Sequence, residues 1–242
     1  MTGVLAWFQD PAHWTGPDGV TARLVEHLGI TALSLLLACL VALPLGLWLG
    51  HVGRGGTLAI NVSNIGRAVP TFAVLVLLAI GPLGLGLAST VLALVLFGIP
   101  PVLTNTYVGV RGVDRDVVDA ARGMGMRGPV LLRRVELPLA TPLLLDGVRV
   151  AAVQIVATAT IAALVAGPGL GRIIRSGYEL QDQPRLVAGS LLVAALALAV
   201  ELAFVLLGAV VDPRRRARWV ARLRRRDAIV TSVGEGVAPG GA

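Results

Sequence analysis

The sequence predicts an all-α integral membrane protein with about five transmembrane helices. Three observations carry that prediction. Hydrophobic residues make up 55% of the chain, charged residues only 14%, and mean hydropathy is +0.81, whereas a soluble domain carries about 25% charged side chains. Charge-poor stretches recur at the ~20-residue length a helix needs to cross the hydrocarbon. The 21 basic residues are all arginine and crowd onto alternate connections, the asymmetry that orients membrane proteins.

Residues 1–27 contain Asp10, Asp18, Arg23 and Glu26. They lack a basic start ahead of an apolar core, so they read as a retained extracytoplasmic segment rather than a cleaved signal peptide. A transmembrane domain, 28–212, follows. Its first span is Ile30–Leu49. Ala68–Val110 is free of charge but too long for one crossing, and Gly81-Pro82 with Gly84-Leu85-Gly86 divides it into two spans. Val150–Gly171 is the fourth span, beginning a turn or two earlier near Pro142. Leu186–Val211, interrupted by Glu201, is the fifth. Residues 213–242 form a basic cytoplasmic tail that is partly disordered.

With the N-terminus outside, 15 arginines fall on inner segments and four (Arg23, Arg172, Arg175, Arg185) on outer ones. Arg67 and Arg149 sit near span ends on the inner side, where they can snorkel. The C-terminus is therefore placed in the cytoplasm. The tail Arg214-Arg215-Arg216 through Arg224-Arg225-Arg226 could suggest nucleic acid. It starts directly after a span, which favours an anchor to anionic lipid headgroups and no nucleic-acid partner.

Several chemistries are excluded. Without lysine there is no Schiff base and no P-loop lysine. Cys39 is alone, and His13, His27 and His51 make no metal-ligand pattern. No catalytic residues and no metal site are expected.

The segment 111–140 is the most informative. Asp116 or a neighbour can cap a short helix whose apolar Val117, Ala120, Ala121 and Met124 recur at helical spacing. Gly125 supplies a backbone able to turn. A second short helix from about Pro129 leads to Leu137-Pro138, where proline can re-aim the chain into the next span. On these grounds alone, the segment is an amphipathic helix pair at a membrane surface.

Asp119-Ala120-Ala121, three residues, Gly125, nine residues, Val135, one residue, Leu137-Pro138 resembles the EAA loop of ATP-binding-cassette (ABC) importer permeases. Asp119 stands where glutamate is commonest in that loop, and Val135 where isoleucine is. Ala68-Val69-Pro70-Thr71-Phe72-Ala73, Pro100-Pro101-Val102-Leu103-Thr104-Asn105-Thr106-Tyr107 and Ala166-Gly167-Pro168-Gly169-Leu170-Gly171 are similar to osmoprotectant permeases in particular. The likeness covers roughly residues 25–212. It implies the type I importer permease fold and a multi-pass subunit of the bacterial plasma (inner) membrane. It implies import of glycine betaine, choline, carnitine or proline betaine, with another small solute such as an amino acid or sulfonate as the alternative.

The resemblance also implies partners: two cytoplasmic ATPase subunits that use ATP and Mg, a second permease copy or paralogue, and an extracytoplasmic substrate-binding protein. This chain itself would bind no cofactor. The coupling residues carried over are Asp119, Ala120, Ala121, Arg122, Met124, Gly125, Val135, Leu137 and Pro138. Gly125 would bend a packed joint, and Asp119 or Arg122 would meet charges on the ATPase.

Polar residues in or near spans are candidates for the translocation pathway: Thr71, Asn105, Thr106, Gln154, Thr158 and Thr160. Each has a second reading, a hydrogen bond to a neighbouring helix. Glu201 is the sharpest oddity, because an acidic group inside a span is expensive and often functional. It either pairs with an arginine of an adjacent span or faces the pathway of a cationic substrate. Asp146 and Arg149, three apart, read as a local pair. Ten aromatic residues, with Trp7, Trp14 and Trp219 outside the spans, leave little for an aromatic cage around a quaternary ammonium. Selectivity then rests with the binding protein, delivering to outer loops that include Gly167 to Gln183. A phospholipid-type transferase, suggested by Asp146-Gly147, would need converging carboxylates that the sequence does not place together.

Overall fold

The computed structural model describes residues 2–56, 60–61, 63–64, 66 and 69–211. The basic tail, Arg67 and Ala68 lie outside the described residues. The described chain is helical throughout: α1 (Thr2–Gln9), α2 (Val20–Val52), α3 (Thr71–Ile80), α4 (Leu87–Arg111), α5 (Arg115–Gly123), α6 (Gly128–Leu131), α7 (Leu137–Ala162), α8 (Gly171–Glu179) and α9 (Gln183–Val211).

Four helical runs among the described residues are long and apolar enough to cross a bilayer: α2, α4, the 38-residue run Gly128–Val165 that contains α7, and α9. The expected second span is shorter than a crossing. Of it, α3 provides ten residues, about 15 Å against a hydrocarbon core of about 30 Å. Pro70 and Gly81 flank that helix on either side. The break expected at Gly81-Pro82 does separate α3 from α4, with Gly81 closing the first and Gly86 preceding the second.

Other boundaries also move. The first span belongs to a helix that begins at Val20, ten residues before Ile30. Arg23 makes this possible: it donates to both carboxylate oxygens of Glu26 at 2.9 and 2.8 Å and pairs with Asp18, so the charges in this stretch offset one another. The fourth span starts well before Pro142 and ends by Val165, where Ala166 turns with φ 64°. Arg149 lies twelve residues into α7, where it makes a lateral contact described below.

α4 is the central helix, with α2 against one side and α7 against the other. Glycines set both contacts. A Cβ on Gly46 would lie 2.7 Å from Thr106 Cβ, and one on Gly147 would lie 2.7 Å from Asn105 Cβ. Small residues let helix backbones approach closely where no hydrophobic force separates helix from lipid. Gly147→Val is expected to destabilise the fold by about 1–3 kcal/mol through overpacking, read as a lower unfolding temperature of the solubilised protein. An unchanged transition would show that α4 and α7 do not pack this closely. α9 is peripheral, burying only Ala188 and Gly189 while leaning on α8, α7 and α1.

Candidate functional site: the α4–α7 loop and the cleft beside α9

The loop is built outward from the end of α4. Asp114, rather than Asp116, caps α5, its side chain accepting from Asp116 N at 2.9 Å. The chain ends α5 in a Schellman motif: Met126 N donates to Ala121 O at 3.2 Å, and Gly125 N to Arg122 O at 2.9 Å. Gly125 sits at φ 82°, the left-handed conformation this motif requires at its turning residue.

The four apolar positions of the expected stripe divide between two faces. Val118 and Ala121 are buried, packing with Val110, Val113, Leu131, Ala140 and Leu144, against which Met126, Val135 and Leu137 also lean. Val117, Ala120 and Met124 point outward, Met124 with 73% exposure. Asp119 and Arg122 stand beside them, exposed and 3.5 Å apart, a separation worth little in water. Among the described residues, nothing beyond its two neighbours in sequence lies within 4 Å of where a Gly125 Cβ would be, because α5 turns its Val118 and Ala121 side, not Gly125, to the core.

At Leu137-Pro138 the helix is unbroken: a π turn, Leu132–Glu136, joins α6 to α7, with Leu137 N bonded to Leu132 O. The widened turn absorbs Pro138, which has no N–H to give and would crowd an ordinary helical turn behind it. Pro138 itself is exposed. From Gly128 onward the loop is consequently helically continuous with α7.

Sequence reasoning passed over a second anchor. Glu136, only 2% exposed, meets His51 near the end of α2, Oε2 to Nδ1 at 2.5 Å. A Cβ on Gly128 would lie 3.1 Å from His51 Nε2. The first long helix and the loop are thus joined across 85 residues of sequence. A buried glutamate in a stretch of arginines was the signal available; its partner was not.

The pathway candidates disperse. Thr106 is buried between α2 and α4, beside Gly46. Asn105 donates to Pro101 O at 2.8 Å and faces Gly147. Thr158 is buried in α7, Thr160 is partly buried near its end, and Thr71 opens α3. Gln154 and Glu201 come together in a cleft of about 720 Å³ between α7 and α9, which Asp146, Arg149, Val150, Val153 and Ala157 also line. There Arg149 holds Glu201 in a two-pronged ion pair, Nε to Oε2 at 2.8 Å with the second prong from Nη2 to Oε1. The arginine of an adjacent span is found, and the cleft still opens beside it.

At the opposite end of the molecule from α5, the four arginines expected outside converge. Arg23, Arg172, Arg175 and Arg185 line a second cavity, about 690 Å³, with Trp7, His13, Asp18 and Glu179. α2 holds the 166–171 turn there. Gly169 N donates to Glu26 Oε2 at 3.0 Å, and Leu170 N to His27 Nδ1 at 3.3 Å, while His27 Nε2 lies 3.1 Å from Val156 O. His27 accepts at Nδ1 and donates from Nε2, the neutral Nε2–H tautomer.

Comparison with known proteins follows the same lines. The family model for the binding-protein-dependent transport system inner membrane component matches residues 42–217. The choline transport system permease protein OpuBB of Bacillus subtilis is 34% identical over 179 residues, 74% of this chain and 82% of that protein. The glycine betaine/carnitine/choline transport system permease protein OpuCB of the same organism is 34% identical over 176 residues, 73% and 81% of the respective chains. Among solved structures, a chain of the methionine ABC transporter MetNI in inward-facing conformations superposes with a TM-score of 0.69. At 22% identity, the match covers 80% of this chain and 96% of that one.

Proposed function

The chain belongs to the family of binding-protein-dependent transport system inner membrane components, and from that premise we propose that it admits quaternary-ammonium osmoprotectants to the cytoplasm. It is a transport subunit with the type I ABC importer permease fold. ATP is used by a partner ATPase in such systems, and a binding protein presents the solute.

The observation that carries the mechanism is the set of apolar residues that α5 leaves outward, Val117, Ala120 and Met124, exposed just before the helical run Gly128–Val165 that contains α7. In the proposed mechanism each of two ATPase subunits receives one such face, with Asp119 and Arg122 at its rim. Closure of the ATPases on ATP and Mg tilts α7 as a rigid body, a two-state change of access. Val135 and Leu137 hold the loop to the core, and Gly125 and Pro138 shape it. This chain binds no cofactor and performs no catalysis. A second copy or a paralogue completes the pathway.

The same reading places the N-terminus outside and the tail at cytoplasmic lipid, with no nucleic acid bound. The membrane domain runs from about 28 to 212, and the binding protein meets the arginine-lined cavity at the outer end. The substrate class rests on the relatives named for choline, carnitine and glycine betaine transport. Uptake of labelled glycine betaine, choline, carnitine and an unrelated amino acid, in cells with and without the chain, tests it. Loss of the quaternary-ammonium solutes alone is expected; loss of the amino acid alone would assign the other substrate class.

A further inference from the structure

We propose that the cleft between α7 and α9 is a binding site for a zwitterion, taking its carboxylate on Arg149 and its cationic head between Asp146 and Glu201. This rests on the osmoprotectant reading and names the residues that would hold such a solute inside the membrane.

Exposure is the first argument. Arg149 and Glu201 stand on two helical runs apolar enough to cross a membrane, and their side chains are 34% and 35% exposed. An ion pair is expensive where it faces hydrocarbon, which favours a face that borders water or polar solute. The cleft is also of a suitable size: its volume of about 720 Å³ falls within the range of about 300–1,000 Å³ seen for small-molecule sites.

The chemistry fits a zwitterion better than a simple cation. A trimethylammonium group has no N–H and is held by aromatic faces or by diffuse attraction to carboxylates. Among the described residues no aromatic side chain lines the cleft, but Asp146 and Glu201 do. A carboxylate is matched by the planar fork of arginine, which binds it in two-pronged fashion. Glu201 occupies that fork in the structure. An entering zwitterion brings a carboxylate for Arg149 and a cation for Glu201, and its departure lets the two re-form their pair, so neither is stranded in a low-dielectric setting, where an unpaired ion is most costly. A site of this kind releases its solute readily, as a pathway must.

The test compares uptake of glycine betaine with that of choline, which has no carboxylate, at equal membrane abundance. Arg149→Gln is expected to lower glycine betaine uptake by about 10- to 100-fold, the range for losing a charge-assisted hydrogen bond, and choline uptake by far less. The exchanged pair, Arg149→Glu with Glu201→Arg, separates binding from structure: it is expected to restore abundance but not glycine betaine uptake. Full uptake by the exchanged pair would reduce the contact to a structural ion pair and overturn the proposal. Equal loss of both solutes in Arg149→Gln would do the same. Where wild type imports glycine betaine but not choline, the exchanged pair decides alone. Wild type importing choline alone would overturn the zwitterion site; importing neither would overturn the osmoprotectant premise itself.

Discussion

Gly125→Asp leaves the protein folded and inserted yet lowers uptake by about 30-fold, the effect of losing roughly 2 kcal/mol at an interface hot spot. The fold survives because Gly125 is exposed and, among the described residues, none but its sequence neighbours stands within 4 Å of the added Cβ. Asp also tolerates φ 82° better than most residues, since its short side chain can hydrogen-bond locally. Transport suffers because a charged side chain projects from the surface proposed to enter the ATPase. Two controls divide the effect. Gly125→Asn, with the same backbone tolerance and no charge, is expected to retain more activity. Gly125→Ala is expected to cost about 1–2 kcal/mol of backbone strain, seen in thermal unfolding, without blocking assembly. Normal uptake by Gly125→Asp at normal abundance would remove the coupling role.

The second large effect concerns the joint between α2 and the loop. His51→Leu leaves the carboxyl group of Glu136, 2% exposed and held at 2.5 Å, without its partner. Such a group costs about 1–3 kcal/mol when stranded, whereas replacing both members with apolar groups of similar shape is nearly neutral. A drop in unfolding temperature is therefore expected for His51→Leu, and recovery of most of it for His51→Leu with Glu136→Met. A double variant no better than the single one would show that the contact does not hold the loop.

Much of this architecture is legible in the sequence because hydropathy and spacing are local signals. The long helices, the break at Gly81-Pro82, the turn at Gly125 and the loop's resemblance to a known family all lie within short windows. Partnerships across the chain are not local. His51 with Glu136, Arg149 with Glu201, and Glu26 with the Gly169 amide are separated by 85, 52 and 143 residues. Arg149 bounds a charge-free stretch of the sequence, whereas the helix runs on through it, with Glu201 supplying a counter-charge from α9. The residues Val117, Ala120, Ala121 and Met124 are helically spaced, yet only Ala121 meets the core, together with Val118, and the other three stay exposed.

That outward face is also where the account is most directly tested. A photo-reactive amino acid placed at Val117, Ala120 or Met124, and for comparison at Leu202 on the exposed side of α9, would be activated in membranes holding the whole transporter. Adducts with the ATPase subunit from the three α5 positions, and none from position 202, are the predicted result. Adducts absent from all three, in a transporter that still imports its solute, would contradict the claim that this loop receives the motion of the ATPase.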